Sequence, residues 1–228
     1  MTDSQLAHST ELAILKPEAL SAGVHKVVAD AMQRGCASVC VAPVWVSRVA
    51  RMVEGSGVYV CSAVSFPHGT SKATLKAIEA TSTIKDGAAA IDVVAHLPHI
   101  IGLDVDAVRA ELMEIVRAAR STRRDVTIGV IVETGLLAQL GERAERAFEV
   151  ACRAVRESGC DAVVSATGFH PAGGATVDGI RLLKRFGESL IIKAAGGIAD
   201  DAHAQQMIDA GADRVRVDPV ANAREGVR

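Results

Sequence analysis

Residues 89–96 read Ala-Ala-Ile-Asp-Val-Val-Ala-His, a short and nearly continuous apolar run that contains one carboxylate, Asp92. A second run, residues 190–196, reads Leu-Ile-Ile-Lys-Ala-Ala-Gly and contains one lysine, Lys193. Runs of this length and composition are typical of parallel strands that are covered on both faces. Each of these runs is therefore predicted to be a buried parallel strand with a charge inside it.

Six further apolar runs occur along the chain, and longer segments separate them. The eight predicted strands are residues 11–15, 38–44, 58–66, 89–96, 126–133, 161–167, 190–196 and 214–218. Helical spacing of apolar residues is clearest in segments 23–34, 71–85, 105–119 and 143–157. Eight strands joined by crossover helices predict an α/β protein with one (β/α)8 TIM barrel domain over residues 1–228. The alternative, an open doubly wound sheet, usually has a glycine-rich turn after its first strand, whereas Leu-Lys-Pro stands at residues 15–17.

The composition excludes several classes of protein. The chain has 228 residues, of which 49% are hydrophobic and 23% charged, enough for a barrel core. A net charge of −2 without a run of basic residues argues against nucleic acid or an anionic membrane as partner. We find no signal-peptide pattern and no apolar stretch near the ~18 residues of a membrane span, so a cytoplasmic protein is expected. The five cysteines fit neither a zinc spacing nor a disulfide framework, and no metal or cofactor is expected.

Asp92 and Lys193 are the two charges that need an explanation. An isolated charge inside a barrel strand is costly, so we expect the two side chains to pair or to border a wet pocket. Chemistry in barrels takes place at the carboxyl ends of the strands, and the pair is expected there. Two interpretations stay open: a structural ion pair, and a pocket in which a desolvated lysine with a lowered pKa meets a carbonyl substrate.

Six short strings at the predicted strand ends are the most informative motifs. They read Val-Cys-Val-Ala-Pro (39–43), Ser-Phe-Pro-His-Gly (65–69), Ile-Asp-Val-Val (91–94), Val-Glu-Thr-Gly (132–135), Ser-Ala-Thr-Gly-Phe (165–169) and Lys-Ala-Ala-Gly-Gly-Ile (193–198). In order and spacing the chain resembles the deoxyribose-phosphate aldolase family, from about Leu6 to its end. The resemblance implies a Schiff-base aldolase that reversibly cleaves 2-deoxyribose 5-phosphate to acetaldehyde and glyceraldehyde 3-phosphate, without metal or organic cofactor.

The resemblance also implies roles for individual residues. Asp92 matches an aspartate that takes part in proton relay, and Lys193 matches a second lysine that lowers the pKa of the imine-forming lysine. Cys40 matches a cysteine near the pocket. The turns that help to hold the substrate and its phosphate are matched by Thr167, Gly168, Gly196 and Gly197.

The chain departs from the family pattern in three places. Val164 stands where the family's Lys-Thr-Ser-Thr-Gly string has its imine-forming lysine, and valine has no nucleophile. Residues 11–13 are Glu-Leu-Ala in place of Asp-His-Thr. Near the end, Asp218 and Pro219 lie where the family has phosphate-binding serines; they add a negative charge and remove an N–H. Arg216 is expected to compensate in part.

Three hypotheses about function follow. In the first, slightly favoured, the protein is an aldolase-type lyase acting on a small aldehyde or sugar phosphate, and Lys193 itself forms the imine. In the second, it is a non-catalytic homologue that binds a metabolite or a protein partner. In the third, the barrel catalyses another reaction such as an enolisation, using Asp92, Lys193 and Glu133. The first is favoured because packing alone would be better served by apolar residues at both charged positions.

The remaining candidates receive structural interpretations. Glu133 is interpreted as part of a turn rather than as a general base. Four histidines are interpreted as solvated loop residues because no carboxylate stands beside them at a ligand spacing: His68, His96, His99 and His170. A homodimer is compatible with a barrel of this size, although the sequence has no evident self-complementary patch.

Overall fold

The computed structural model describes residues 3–219 and has eight parallel strands that close into a barrel in chain order. The strands are β1 Thr10–Ile14, β2 Ser38–Val41, β3 Tyr59–Val64, β4 Ala90–Val94, β5 Thr127–Ile131, β6 Ala162–Val164, β7 Ile191–Ala194 and β8 Arg214–Val217. β8 pairs with β1 through Arg216 and Glu11, which completes the ring. The predicted (β/α)8 TIM barrel is confirmed.

Ten α-helices accompany these strands in the described residues. They are α1 Asp3–Ser9, α2 Ser21–Arg34, α3 Val46–Met52, α4 Ala73–Lys85, α5 Leu97–Ile101, α6 Val105–Thr122, α7 Thr134–Ala138, α8 Ala144–Glu157, α9 Val177–Gly187 and α10 Asp201–Asp209. The four helices that sequence spacing predicted correspond to α2, α4, α6 and α8. Within residues 3–219 no helix combines the length and the apolar character that crossing a membrane requires.

Helix α8 illustrates how the outer helices attach to the barrel. One face of α8 carries arginines and glutamates, and the opposite face is buried against the strands. Its apolar stripe consists of Ala147, Phe148, Val150, Ala151, Ala154 and Val155. Burial of such a stripe, at about 25 cal/mol per Å² of apolar surface, supplies most of the stability of an outer helix.

A repeated Gly-x-Asp turn precedes two of the strands. Asp161 accepts a hydrogen bond from the backbone N–H of Ile128 and pairs with Arg120 of α6. Asp213 in the same way accepts from the backbone N–H of Ile192 and pairs with Lys184 of α9. In both turns the aspartate carboxylate links the start of the neighbouring strand to the helix that precedes that strand. This shared role explains why the motif recurs.

The second strand is shorter than the predicted run 38–44. It ends at Val41, and Pro43–Trp45 form a 3-10 turn that leads into α3. Proline favours the start of such a turn because its φ is fixed and its missing N–H needs no partner there. The difference places Pro43 in the loops at the carboxyl ends of the strands.

Candidate functional site

Four charged side chains meet inside the barrel. Lys193 Nζ lies 2.7 Å from Asp92 Oδ2 and 2.7 Å from Glu11 Oε1. Arg216 Nε lies 2.7 Å from the same Glu11 oxygen, and its guanidinium also contacts Asp92. Ser38 donates a hydrogen bond of 2.8 Å to the other Glu11 oxygen. We call Glu11, Asp92, Lys193 and Arg216 the ion cluster; two cations and two anions compensate each other there.

The ion cluster favours the charged forms of Glu11, Lys193 and Arg216. Burial acts to raise the pKa of the Glu11 carboxyl, but Lys193 and Arg216 more than offset it and lower that pKa to about 2. Burial acts to lower the pKa of Lys193, and the Asp92 and Glu11 carboxylates reverse this effect, so its pKa is raised above the ordinary value. The expected pairing of Asp92 with Lys193 is observed. Of the two interpretations that the sequence left open, the raised pKa of Lys193 favours the structural ion pair over a lysine of lowered pKa.

Arg216 also differs from its expected role. It was expected to help hold a phosphate, but its side chain is among the largest that are fully buried in the described residues, and it points into the barrel. Its guanidinium is occupied by Glu11 and Asp92. Gly129 of β5 makes room for the Asp92 carboxylate, because a Cβ at that position would overlap with Asp92 Oδ1.

An apolar layer separates the ion cluster from the carboxyl ends of the strands. It consists of Val94, Ile131, Val164 and Ala195, and the ring of Phe66 packs against it. Val94 and Ala195 each follow a member of the ion cluster by two residues, which is one layer further along the strands. Val164 is fully buried and is the Cα partner of Lys193 between β6 and β7.

The ion cluster borders a cavity at the opposite end of the barrel. This cavity has a volume of about 370 Å³ and is lined by Lys193, Asp92 and Glu11 together with residues at strand starts such as Tyr59 and Thr127. The expectation that Asp92 and Lys193 lie at the carboxyl ends is therefore corrected. The apolar layer lies on that side, and the 8% of Lys193 that remains exposed belongs to a side chain in the wall of the amino-terminal cavity.

The predicted turn residues come together at the carboxyl ends. Thr167, Gly168 and Gly197 line a cavity of about 270 Å³ whose wall also includes Lys16 and Asp218. The adjoining Gly196 contacts the backbone of Gly168 so closely that a Cβ on either glycine would clash. These turns thus form a small-molecule-sized cavity with one cation and one acid in its wall.

Asp218 changes the charge of this cavity with pH. Burial raises the pKa of its carboxyl to about 6, although Arg216 and Lys16 act in the opposite direction. At neutral pH the carboxyl is ionised and opposes a phosphate in the same cavity. A neutral ligand is not repelled by the Asp218 carboxylate.

Cys40 lies apart from these turns. It is fully buried in the barrel interior beside Ala13 and Cys61, and it is not in the wall of the 270 Å³ cavity. Cys40, Cys61 and Glu11 each offer one potential ligand atom, and these three atoms lie within 4.8 Å of one another, a spacing that a metal ion requires. Lys193 and Arg216 already hold the Glu11 carboxylate, and a hydrogen bond with Cys40 together with burial raises the pKa of Cys61. The surroundings therefore disfavour a metal cation.

Two features of the carboxyl-terminal face were not predicted. Glu133 Oε1 accepts hydrogen bonds from the backbone N–H and the hydroxyl of Thr167, at 2.9 and 2.5 Å. Phe66 and Phe169 pack edge to face with ring centroids 5.2 Å apart. The sequence signals were the glutamate two residues after the end of β5 and two phenylalanines in a chain with only 3% aromatic residues.

Comparison with known proteins gives relatives along nearly the whole chain. Deoxyribose-phosphate aldolase of Mycobacterium tuberculosis (strain H37Rv) is 40% identical over 215 residues, covering 94% of this chain and 92% of the relative. Deoxyribose-phosphate aldolase of Bdellovibrio bacteriovorus is 39% identical over 212 residues, covering 92% and 91%. No family model matches the chain.

Solved structures are similar over the same range. An aldolase described as QR15 superposes with a TM-score of 0.84 at 31% identity, covering 96% of this chain and 94% of that one. The deoxyribose phosphate aldolase of Aeropyrum pernix, described as tetrameric, gives a TM-score of 0.85 at 26% identity, covering 98% and 91%.

Proposed function

Because this chain belongs to the deoxyribose-phosphate aldolase family, we propose that it binds a small aldehyde or sugar at the carboxyl ends of its strands without forming an imine in the barrel. It is then a binding protein built on an aldolase scaffold. The proposal thus adopts the second hypothesis from the sequence, a non-catalytic homologue, in place of the aldolase hypothesis that the sequence slightly favoured.

The placement of Lys193 carries the proposal. An imine-forming lysine must present a free amine to the substrate carbonyl. Lys193 is instead held between two carboxylates, and its pKa is raised. Its strand partner Val164 offers only methyl groups. Neither position therefore supplies the nucleophile.

The cavity at the carboxyl ends supports binding. It brings Thr167, Gly168 and Gly197 together, and Lys16 adds a cation. A volume of about 270 Å³ suits a molecule of a few carbon atoms. Because Asp218 is ionised at neutral pH and opposes a phosphate, an unphosphorylated ligand is favoured.

A second candidate is an aldol lyase that uses Lys193. One observation favours it: Lys193 and Asp92 line the cavity of about 370 Å³ at the amino-terminal ends of the strands. A small aldehyde that entered there would meet the lysine. Imine formation would then require that Lys193 leave both carboxylates and lose a proton.

Imine trapping separates the two candidates. The protein is incubated with acetaldehyde and cyanoborohydride, digested, and each lysine is examined by mass spectrometry. The proposal predicts modification of exposed lysines such as Lys184 and none of Lys193, and Lys193→Arg then gives the same adduct pattern as the wild type. An adduct on Lys193 that forms faster than those on exposed lysines would overturn it and establish the second candidate.

A further inference from the structure

A separate cavity at the carboxyl-terminal face contains Glu133. Its volume is about 410 Å³, and it lies among the loops that follow β3, β4, β5 and β6. Most of its wall is apolar: Pro67, Leu97, Pro98, Phe169 and Pro171. Its polar members are His68, Thr70, Glu133 and His170. None of these side chains belongs to the ion cluster.

Glu133 has one satisfied and one unsatisfied oxygen. Oε1 accepts both hydrogen bonds from Thr167, whereas Oε2 is buried and has no hydrogen-bond partner within residues 3–219. The residue is only 1% exposed. A buried carboxylate oxygen without a partner is costly, so its presence indicates that a donor arrives from elsewhere.

The backbone at Glu133 is also unusual. Its φ of 57° and ψ of 64° lie in the left-handed region of backbone conformation, which residues other than glycine rarely adopt. Such strain is concentrated at ligand sites. Here it turns the chain from β5 directly into α7 and keeps the carboxylate against the β6 loop.

The neighbours of Glu133 define what the cavity accepts. His170 Nδ1 accepts a hydrogen bond from the backbone N–H of Ala172, so the neutral ring carries its proton on Nε2 and can donate it. Phe169 is 44% exposed and is held on edge by Phe66, which makes it a fixed apolar platform. A ligand with hydroxyl groups and an apolar face can donate to Glu133, accept from His170 and stack on Phe169.

We propose that Glu133 anchors a hydroxyl group of a neutral polyol or sugar in this cavity, through its unpartnered Oε2. The inference goes beyond the proposed function because it concerns a second cavity, which shares Phe169 in its wall with the first, and it names an anchor and a class of ligand. The carboxylate disfavours phosphates and other anions, and hydrogen bonding to a charged acceptor favours hydroxyl donors.

Calorimetric titration with ribitol tests the proposal. Ribitol has no carbonyl group, so it cannot form an imine, and its binding is read independently of the trapping experiment. Glu133→Gln keeps the side-chain shape and an oxygen for Thr167 but replaces the charged acceptor. The exposed Glu142 supplies the matched control, Glu142→Gln.

We expect wild type and Glu142→Gln to bind ribitol equally and Glu133→Gln to bind at least tenfold more weakly. Equal affinity of wild type and Glu133→Gln, or no ribitol binding to the wild type, would overturn the proposal while leaving the imine result untouched. If Glu133→Gln does not fold, Phe169→Ala carries the test, because it removes the platform without touching the Glu133–Thr167 hydrogen bonds. A loss of at least fivefold is expected, and unchanged affinity would refute the site.

Discussion

Val164 of β6 and Lys193 of β7 are Cα partners across the strand ladder, one apolar and one charged. The valine belongs to the apolar layer, and the lysine belongs to the ion cluster. The resemblance to the family predicts the imine-forming lysine at position 164, and the valine at that position offers no amine beside Lys193.

Introducing a lysine at position 164 should restore a reactive amine. In Val164→Lys, burial in the apolar layer acts to lower the pKa of the new lysine, because the cations and carboxylates of the neighbouring ion cluster compensate each other. We expect at least tenfold more borohydride-trapped acetaldehyde on residue 164 of this variant than on any lysine of Val164→Met, which matches its length without the charge. A folded Val164→Lys protein without an adduct would show that the apolar layer also blocks access.

Removing Lys193 should destabilise the protein strongly. Lys193→Met leaves two buried carboxylates with one cation, and such a loss typically costs about 3–5 kcal/mol. The exposed pair of Lys184 with Asp213 provides the control, since Lys184→Met should cost less than about 1 kcal/mol. Urea unfolding at pH 7 measures both, and equal effects of the two variants would contradict a cooperative ion cluster.

Glu11 should make the protein acid-sensitive. Its pKa of about 2 in the folded protein lies below the ordinary 4.5, so the ionised form is favoured by folding. This contribution, about 3 kcal/mol, is complete above pH 4.5 and is lost as the pH falls toward 2. Unfolding free energies of wild type and Glu11→Gln, measured from pH 6 to pH 2.5, should converge as the pH falls. Curves that stay parallel would be incompatible with this role.

The effect of Asp218 on the stability of the protein should depend on pH in the opposite direction. Its pKa is raised from 3.8 to about 6, so the protonated form is favoured by folding, and a penalty develops as the pH rises through this range. Asp218→Asn should stabilise the protein by about 1–2 kcal/mol at pH 7.5 and have little effect at pH 3.5, where the wild-type carboxyl is already protonated. Thermal unfolding at both pH values checks this, and a difference independent of pH would rule out the raised pKa.

The barrel could be predicted because its signal is local. Each strand is a separate apolar run with glycine or proline near its ends, and the strand order follows the chain. Pairing of Asp92 with Lys193 was predictable for a similar reason, since two charges in buried strands need partners.

The other half of the ion cluster was not predictable in the same way. Glu11 and Arg216 are 205 residues apart in the chain, and only the pairing of β1 with β8 brings them together. The end of the barrel from which Lys193 can be reached depends on how the apolar layer packs. The residues of this layer come from β4, β5, β6 and the position just after β7. Neither property belongs to one segment of sequence, so the lysine pKa and the open end of the barrel required the structure.

The protonation state of Lys193 tests the central claim most directly. Lysine labelled with 13C at Cε reports deprotonation through its chemical shift, and Lys193→Arg assigns the signal by its disappearance. We predict that the Lys193 signal stays at the ammonium position up to pH 11. A Lys193 signal that titrates below pH 8 would contradict the account, because it would identify an amine ready to form an imine.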